Sequence, residues 1–190
     1  MQKLMVFNSI SLDGYFTDAD SQMNFAQNAA PDAEWDAFVA GNASASGGGV
    51  LLFGRVTYEM MAGFWHTPLA AQQMPVVAEA MNNLRKVVFS RTMNKASWSN
   101  TKLVKDDLIG AVRKMKAETG NGMVIFGSGS IVSQLAQHNL IDEYQLVVVP
   151  VVLGKGRTMF EGITEKLSLK LTKSRNFHNG NVLLCYESVM

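Results

Sequence analysis

Short apolar runs of strand length recur along the whole chain, and stretches with helix signals separate most of them. In runs such as Val50–Phe53, Lys86–Phe89 and Met123–Phe126, apolar residues occupy consecutive positions rather than every second one. Strands of that kind are buried on both faces, which is typical of a parallel sheet covered by helices. The pattern therefore predicts an α/β fold with three layers, αβα, around a mostly parallel central sheet.

The boundaries of these elements follow from apolar runs, proline and aspartate start signals, and glycine stop signals. The predicted strands are Lys3–Asn8, Val50–Phe53, Lys86–Phe89, Lys102–Val104, Met123–Phe126, Glu143–Val149, Leu167–Ser174 and Val182–Glu187. The predicted helices are Asp32–Ala43, Arg55–Ala62, Pro75–Asn83, Asp106–Glu118 and Ser130–His138.

The last strands have no helix between them, so we expect the sheet to end in an antiparallel C-terminal hairpin. Asn179-Gly180 is the hairpin signal at its turn. Asp18–Pro31 and the glycine-rich Gly41–Gly49 are predicted to be loops. No linker or internal repeat divides the chain, and residues 1–190 are predicted to form a single domain.

Composition excludes several classes of protein. The formal net charge is +1 and 47% of the 190 residues are apolar, which argues against a disordered chain or a nucleic-acid binder. No apolar run is long enough to span a membrane. Cys185 is the single cysteine and cannot form an internal disulfide, and the N-terminus lacks a signal-peptide pattern. We therefore expect a cytoplasmic protein without membrane or nucleic-acid partners.

Three predicted strand ends carry residues suited to binding phosphate. Gly54 and Arg55 follow one strand and open a helix, whose free N–H groups attract anions. Gly127–Ser130, with two glycines and two hydroxyls, forms a second strand-to-helix turn. Ser90 and Arg91 follow a third strand where an NAD site would place an acid, which favours NADP over NAD. Each turn alone could be a packing turn, but together they suggest a ligand with a diphosphate.

Catalytic side chains are sparse. The sequence has no clustered metal ligands and no GxSxG motif, so neither a metal site nor a serine nucleophile is predicted. Glu34 and Asp36 stand near the start of a predicted helix and are the candidate proton donors, with Phe38 on the same face as Glu34. The alternative is a solvated acidic first turn stabilised by the helix dipole.

Four segments in this order resemble the dihydrofolate reductase-like superfamily: VLLFGRVTYEMMAGFW, KVVFSRT, MVIFGSGSIVSQL and LIDEYQLVVVPVVLGKGRTMFEG. Within it, the chain is most similar to stand-alone proteins related to the C-terminal reductase domain of the riboflavin-biosynthesis deaminase-reductase. The resemblance covers essentially the whole chain and implies an NADPH-dependent reductase. Its substrate would be pterin-like or similar to 5-amino-6-(5-phosphoribosylamino)uracil.

The resemblance also assigns residues to an NADP(H) site. Arg55 and Thr57 would hold phosphates, Ser90 and Arg91 the 2′-phosphate, and Ser9 and Phe16 would flank the nicotinamide. The Gly127–Ser128 bond is expected to be a cis peptide, as in dihydrofolate reductases. The full cofactor-binding set is Ser9, Phe16, Gly54, Arg55, Thr57, Ser90, Arg91, Gly127, Ser128, Gly129, Ser130 and Ile131.

Two departures from the family pattern leave a second interpretation open. Riboflavin-pathway reductases place a glutamate two residues before the first glycine of the glycine-rich turn, where this chain has Ile125. The single helix acid of dihydrofolate reductases is only roughly matched by Glu34 or Asp36. The alternative is therefore a non-catalytic NADP-binding or regulatory module on the same fold. Family members are often homodimers, and the apolar region Glu143–Val152 is the predicted interface.

Overall fold

The computed structural model describes residues 1–26, 30–45 and 49–189. Its helices are α1 (Ala33–Ala45), α2 (Arg55–Trp65), α3 (Pro68–Gln73), α4 (Pro75–Asn83), α5 (Leu108–Ala117) and α6 (Gly129–Gln137), with a 3₁₀ turn at Asn24–Ala26. Its strands are β1 (Leu4–Ser11), β2 (Tyr15–Thr17), β3 (Val50–Gly54), β4 (Arg85–Phe89), β5 (Thr101–Val104), β6 (Met123–Phe126), β7 (Glu143–Val149), β8 (Arg157–Thr158), β9 (Leu169–Asn176) and β10 (Val182–Ser188).

Eight of the described strands form one sheet in the order β5-β4-β3-β6-β1-β7-β10-β9. The six strands from β5 to β7 run parallel, whereas β10 is antiparallel to both β7 and β9. The hairpin turn forms where Asn179-Gly180 predicts it, and the N–H of Gly180 donates to the carbonyl of Phe177 at 3.0 Å. The predicted fold class is confirmed: a mostly parallel sheet with an antiparallel C-terminal edge.

Side chains alternate between the two faces of the sheet, and helices cover both. Leu52 and Ile125 face the layer of α5 and α6, whereas Leu51 and Val124 face α2 and α4. Fully burying each such side chain contributes about 2 kcal/mol. Strands buried on both faces explain why the runs are continuously apolar rather than alternating.

Local signals place several helix ends. The carboxylate of Asp107 accepts the N–H of Gly110 at 2.8 Å and so caps α5, one residue later than the predicted start at Asp106. Thr67 caps α3 in the same way, and proline opens both α3 and α4.

One local prediction was wrong, and the other differences are features that the sequence did not predict. Helix α1 continues through Gly41 to Ala45, where we predicted a loop; residues 46–48 of that loop lie outside the described residues. The predicted Asp18–Pro31 loop contains the 3₁₀ turn, and its residues 27–29 are not described. The pairing of β2 with β8 and the short helix α3 were not predicted at all.

The predicted dimer interface lies mostly inside the molecule. Strand β7 is paired on both sides, and Val147 and Val149 are buried. Only the loop after the strand is open: Val152 is 65% exposed and lies near Leu12, which is 67% exposed and whose N–H donates to the carbonyl of Val151. Dimerisation stays a prediction.

Candidate functional site

A cleft of about 680 Å³ lies at the carboxyl ends of the parallel strands. The residues that follow β3, β4, β5 and β6 line it, and the segment from Phe16 to Met23 forms part of its wall. In an open α/β sheet, this edge is where ligands bind, because successive helices begin there and point their free N–H groups outward. The position of the cleft therefore agrees with the three predicted strand ends.

Two of the predicted turns are hydrogen-bonded directly to each other, and we call Gly54–Thr57 and Gly127–Ser130 the paired turns. The N–H of Gly54 donates to Oγ of Ser128 at 2.8 Å. In return, the N–H of Ser128 donates to Oγ1 of Thr57 at 3.1 Å. These bonds join the starts of α2 and α6 into one rigid unit at the floor of the cleft.

Both glycines of the second turn are required by close packing. Gly127 has a φ of +59°, and a β-carbon there would lie 2.9 Å from Cγ2 of Thr57. A β-carbon on Gly129 would lie 2.7 Å from two ring carbons of Phe16. The turn therefore accepts no larger side chain at either position without displacing a neighbour.

The expected cis peptide between Gly127 and Ser128 is wrong. No peptide bond among the described residues is cis, and both residues instead adopt left-handed backbone angles, with φ of +59° and +56°. Positive φ at two successive residues reverses the chain between β6 and α6 without a cis bond. Glycine adopts this conformation readily and serine only at some cost in energy.

The first amides of α6 face the cleft. Gly129 and Ser130 both line it, and the first N–H groups of a helix have no acceptor within the helix. Together with the positive end of the helix dipole, they form a site suited to a phosphate or diphosphate.

Positive side chains surround this helix end. Arg91 and Lys105 line the cleft and make no hydrogen bond or ion pair in the described part of the chain. Arg55 pairs with Glu59 at 2.9 Å and Arg157 with Glu161 at 3.4 Å, both at the exposed surface. Exposed pairs of this kind contribute at most about 1 kcal/mol, so an anionic ligand can displace them. Asp106 and Asp107 are the lining carboxylates, so cations outnumber acids at the cleft.

A search against protein families identifies residues 2–183 as a RibD C-terminal domain. The chain belongs to the RibD C-terminal domain family. An uncharacterized protein of Bacillus subtilis strain 168, YyaP, is 27% identical to it over 141 residues, 72% of each chain. The resemblance read from the four sequence motifs is therefore confirmed.

Solved structures share the fold of this RibD C-terminal domain. A putative riboflavin biosynthesis protein from Shewanella sp. PV-4 superposes over the full length of both chains with a TM-score of 0.79 and 22% identity. A deaminase/5-amino-6-(5-phosphoribosylamino)uracil reductase from Thermotoga maritima superposes with a TM-score of 0.67 and 13% identity, covering 99% of this chain and 57% of the other. At these identities the likeness establishes the fold.

The cleft gathers most of the predicted cofactor-binding residues of this RibD C-terminal domain. Those that line it are Phe16, Gly54, Arg55, Thr57, Ser90, Arg91, Ser128, Gly129, Ser130 and Ile131. Gly127 lies buried beneath the turn, and Ser9 lies on β1, outside the lining. Residues that the sequence did not single out are Asn8, Lys105 and Arg157.

The two candidate proton donors lie outside the cleft lining. Glu34 forms an ion pair with Arg175 of β9, whose Nε lies 3.1 Å from the carboxylate. Asp36 is exposed on α1, and its N–H donates to the carbonyl of Asp32. Their assignment as acids stays a prediction, and the solvated-helix alternative fits these positions better.

Two phenylalanines of the central strands, Phe7 and Phe126, lie beside the second turn and are only partly buried. We call this pair the aromatic floor. They are paired across β1 and β6, with ring centroids 5.6 Å apart. Although both belong to central strands, both are partly exposed, and neither lines the cleft. The ring of Phe38 in α1 packs against that of Phe7, with the ring centroids 6.3 Å apart. Ile125 points to the opposite face, where it is fully buried.

The described residues contain no group of three histidine, cysteine or acidic side chains that could hold a metal ion. Among the helices of the same described ranges, none is long and apolar enough to cross a membrane.

Proposed function

We propose that this protein is an NADPH-dependent reductase of a small, flat heterocycle. The observation that carries the proposal is the pair of hydrogen-bonded turns, which aims the start of α6 into a cleft where cations outnumber acids. A dinucleotide diphosphate matches this arrangement of backbone donors and cations. Membership of the RibD C-terminal domain family and a reductase among the structural neighbours support the same conclusion.

Arg91 and Lys105 are the residues that select NADPH over NADH in this proposal. Both are exposed, line the cleft beyond β4 and β5, and have no carboxylate partner in the described residues. An arginine at this strand end suits a 2′-phosphate, whereas NAD sites place an acid there to bind the ribose hydroxyls. Ser90 supports the loop, since its Oγ accepts the N–H of Met93 at 3.0 Å.

The substrate ring is proposed to lie over the aromatic floor. Phe126 directly precedes Gly127, and Phe7 lies two residues before Ser9 on the neighbouring strand, so a flat ring there would meet a nicotinamide bound above the second turn. When bound, NADPH supplies a hydride for a C=N or C=O bond. The protein orients the ring. Solvent in the open cleft supplies the proton, or Glu34 or Asp36 does so through water, since neither carboxylate lines the cleft.

The position of the carboxylates favours the alternative, a non-catalytic NADP-binding module. Glu34 is engaged by Arg175 and Asp36 lies outside the cleft lining. Mixing the protein with NADPH and dihydrofolate, a dihydropterin or an aminouracil, and following absorbance at 340 nm, separates the two functions. Turnover of any one of them supports the reductase; binding without turnover supports the module.

Replacing Arg91 by glutamine tests the cofactor assignment. We expect the dissociation constant for NADPH to rise about tenfold, the usual effect of losing a charged hydrogen bond, and that for NADH to stay the same. Arg113→Gln is the matched control, because Arg113 is exposed on α5 and does not line the cleft. An equal loss of affinity for both dinucleotides would contradict the role of Arg91.

A further inference from the structure

Asn8 is a polar side chain in the interior of the sheet that neither the sequence motifs nor the proposed reaction explains. It lies on the central strand β1 and is 2% exposed. Alternation along the strand puts it on the same face as Leu4 and Val6, among apolar side chains. A buried amide is costly unless it is fully hydrogen-bonded, so its partners indicate its role.

The amide of Asn8 binds both backbone groups of Gly127. Its Oδ1 accepts the N–H of Gly127 at 2.6 Å, and its Nδ2 donates to the carbonyl of Gly127 at 3.2 Å. The Nδ2 also lies 3.0 Å from Sδ of the buried Met159. The backbone pairing of β1 with β6 ends at Phe7 and Phe126, so the side chain of Asn8 continues it by one step.

This bond pattern fixes the peptide between Gly127 and Ser128 from both sides. Nδ2 of Asn8 donates to the carbonyl of this peptide, on Gly127, and Oγ1 of Thr57 accepts its N–H, on Ser128. Ser128 has a φ of +56°, a conformation that is costly for a residue with a side chain and that persists only where neighbours hold it. The direction of the first amides of α6 depends on this peptide, because they follow it directly.

We propose that Asn8 is the positioning residue of the diphosphate site, setting the Gly127–Ser128 peptide so that the N–H groups of Gly129 and Ser130 converge on one phosphate. The inference rests on the proposed function, since it assigns that ligand to α6. Asparagine is suited to the position because it offers one acceptor and one donor side by side. Aspartate keeps the acceptor but presents a second oxygen to the carbonyl of Gly127.

The test compares Asn8→Asp with Asn82→Asp. Asn82 is a matched control because it also uses both ends of its amide, donating to the carbonyls of Trp65 and Ala78 and accepting from Nε1 of Trp98, away from the cleft. Asn8→Ser is a neutral second variant in case the aspartate variant does not fold. Each protein is assayed for amide hydrogen exchange at Gly127 and for affinity towards NADPH and adenosine 2′-phosphate, which lacks a diphosphate.

In Asn8→Ser, whose shorter side chain withdraws the acceptor from the N–H of Gly127, we expect exchange at Gly127 to be at least about tenfold faster. In both Asn8 variants we expect NADPH to bind at least about tenfold more weakly. Adenosine 2′-phosphate should bind within about twofold of the unaltered protein, and the Asn82 variant should change none of the three values by more than this. Equal losses for both ligands, or no faster exchange than in Asn82→Asp, would overturn the proposal. Faster exchange in a protein whose unaltered form binds no dinucleotide would overturn the proposed function and retain Asn8 as the residue that positions the turn.

Discussion

Ser128 holds the neighbouring turn with both of its hydrogen-bonding groups instead of offering them to a ligand. Its Oγ accepts the N–H of Gly54 and donates to the carbonyl of Phe126 at 3.2 Å, while its N–H goes to Thr57. Sequence reasoning treats all four residues of the GSGS turn as phosphate ligands. At the residue scale, the structure divides them: Gly127 and Ser128 build the turn, and Gly129 and Ser130 are the two that remain for the proposed phosphate contact.

Lys86 is the second residue whose role is visible only in the structure. It is 1% exposed, and its Nζ donates to the carbonyls of Asn82, Leu84 and Ser99 at 2.7 to 3.2 Å. It also lies 4.5 Å from the centre of a Trp98 ring. The lysine thus ties the end of α4 to the segment before β5, and in the described part of the chain its partners are carbonyl groups rather than acids. Burial lowers the pKa of Lys86 to about 8.

This lysine should make stability depend on pH in a defined window. Between pH 8 and 10.5 the unfolded chain binds the lysine proton more strongly than the folded protein does, so the contribution of Lys86 to the free energy of unfolding rises with pH. The rise is about 3 kcal/mol over the window, and the contribution is smallest below pH 8. Urea unfolding at several pH values measures this rise. The free energy of unfolding of the unaltered protein, minus that of Lys86→Met, should increase as the pH rises from 8 to 10.5.

Lys102→Met is the control for this measurement, because Lys102 is exposed on β5, whereas Lys86 is buried. The difference between the unaltered protein and this control should stay flat. A flat difference for Lys86→Met as well would show that the buried ammonium gains as much from its carbonyl partners as it loses by burial.

At the scale of elements, continuous apolar runs and turn residues were enough to predict the sheet. All eight of its strands, the antiparallel hairpin at its edge and five helices lie where the sequence puts them, within a few residues. These signals are local, since a strand buried on both faces must be apolar throughout and a tight hairpin needs Asn-Gly.

The elements missed are those whose stability comes from distant contacts. Strands β2 and β8 have three and two residues, too few to show any periodicity, and each forms only by pairing with the other. Gly41 and Ser44 are poor helix formers, yet α1 passes through both, so weak propensity at single positions does not mark the end of a helix.

Residues of the site that are brought in by distant contacts were missed in the same way. Gly54, Arg55 and Gly127–Ser130 are recognisable because each turn is a continuous motif following a strand. Asn8 and Arg157 lie far from them in sequence and reach the site only through the strand order of the sheet and the pairing of β2 with β8. No local pattern marks either residue.

The aromatic floor gives a prediction at this scale, because it joins β1 to β6. Phe126→Leu keeps an apolar side chain of similar burial but removes the ring that a flat substrate would contact. We expect KM for the heterocyclic substrate to rise about tenfold, with the dissociation constant of NADPH unchanged. Phe64→Leu, a partly exposed ring on the outer side of α2, is the control. An unchanged KM in Phe126→Leu would place the substrate elsewhere.

For the whole molecule, the distribution of charge matters more than its sum. The net charge is only +1, yet Arg55, Arg91, Lys105 and Arg157 all border one cleft. The central sheet brings the first three together, since they follow β3, β4 and β5, and the separate pairing of β2 with β8 adds Arg157. A small dianionic or trianionic ligand is therefore favoured where a nucleic acid is not.

The central claim is that this cleft binds NADPH, and direct titration of the unaltered protein tests it. Trp35, Trp65 and Trp98 provide the intrinsic fluorescence to follow. We predict saturable binding of NADPH with a dissociation constant of about 10 μM or below, and binding of NADH at least about tenfold weaker. Absence of saturable NADPH binding up to about 1 mM would contradict the account.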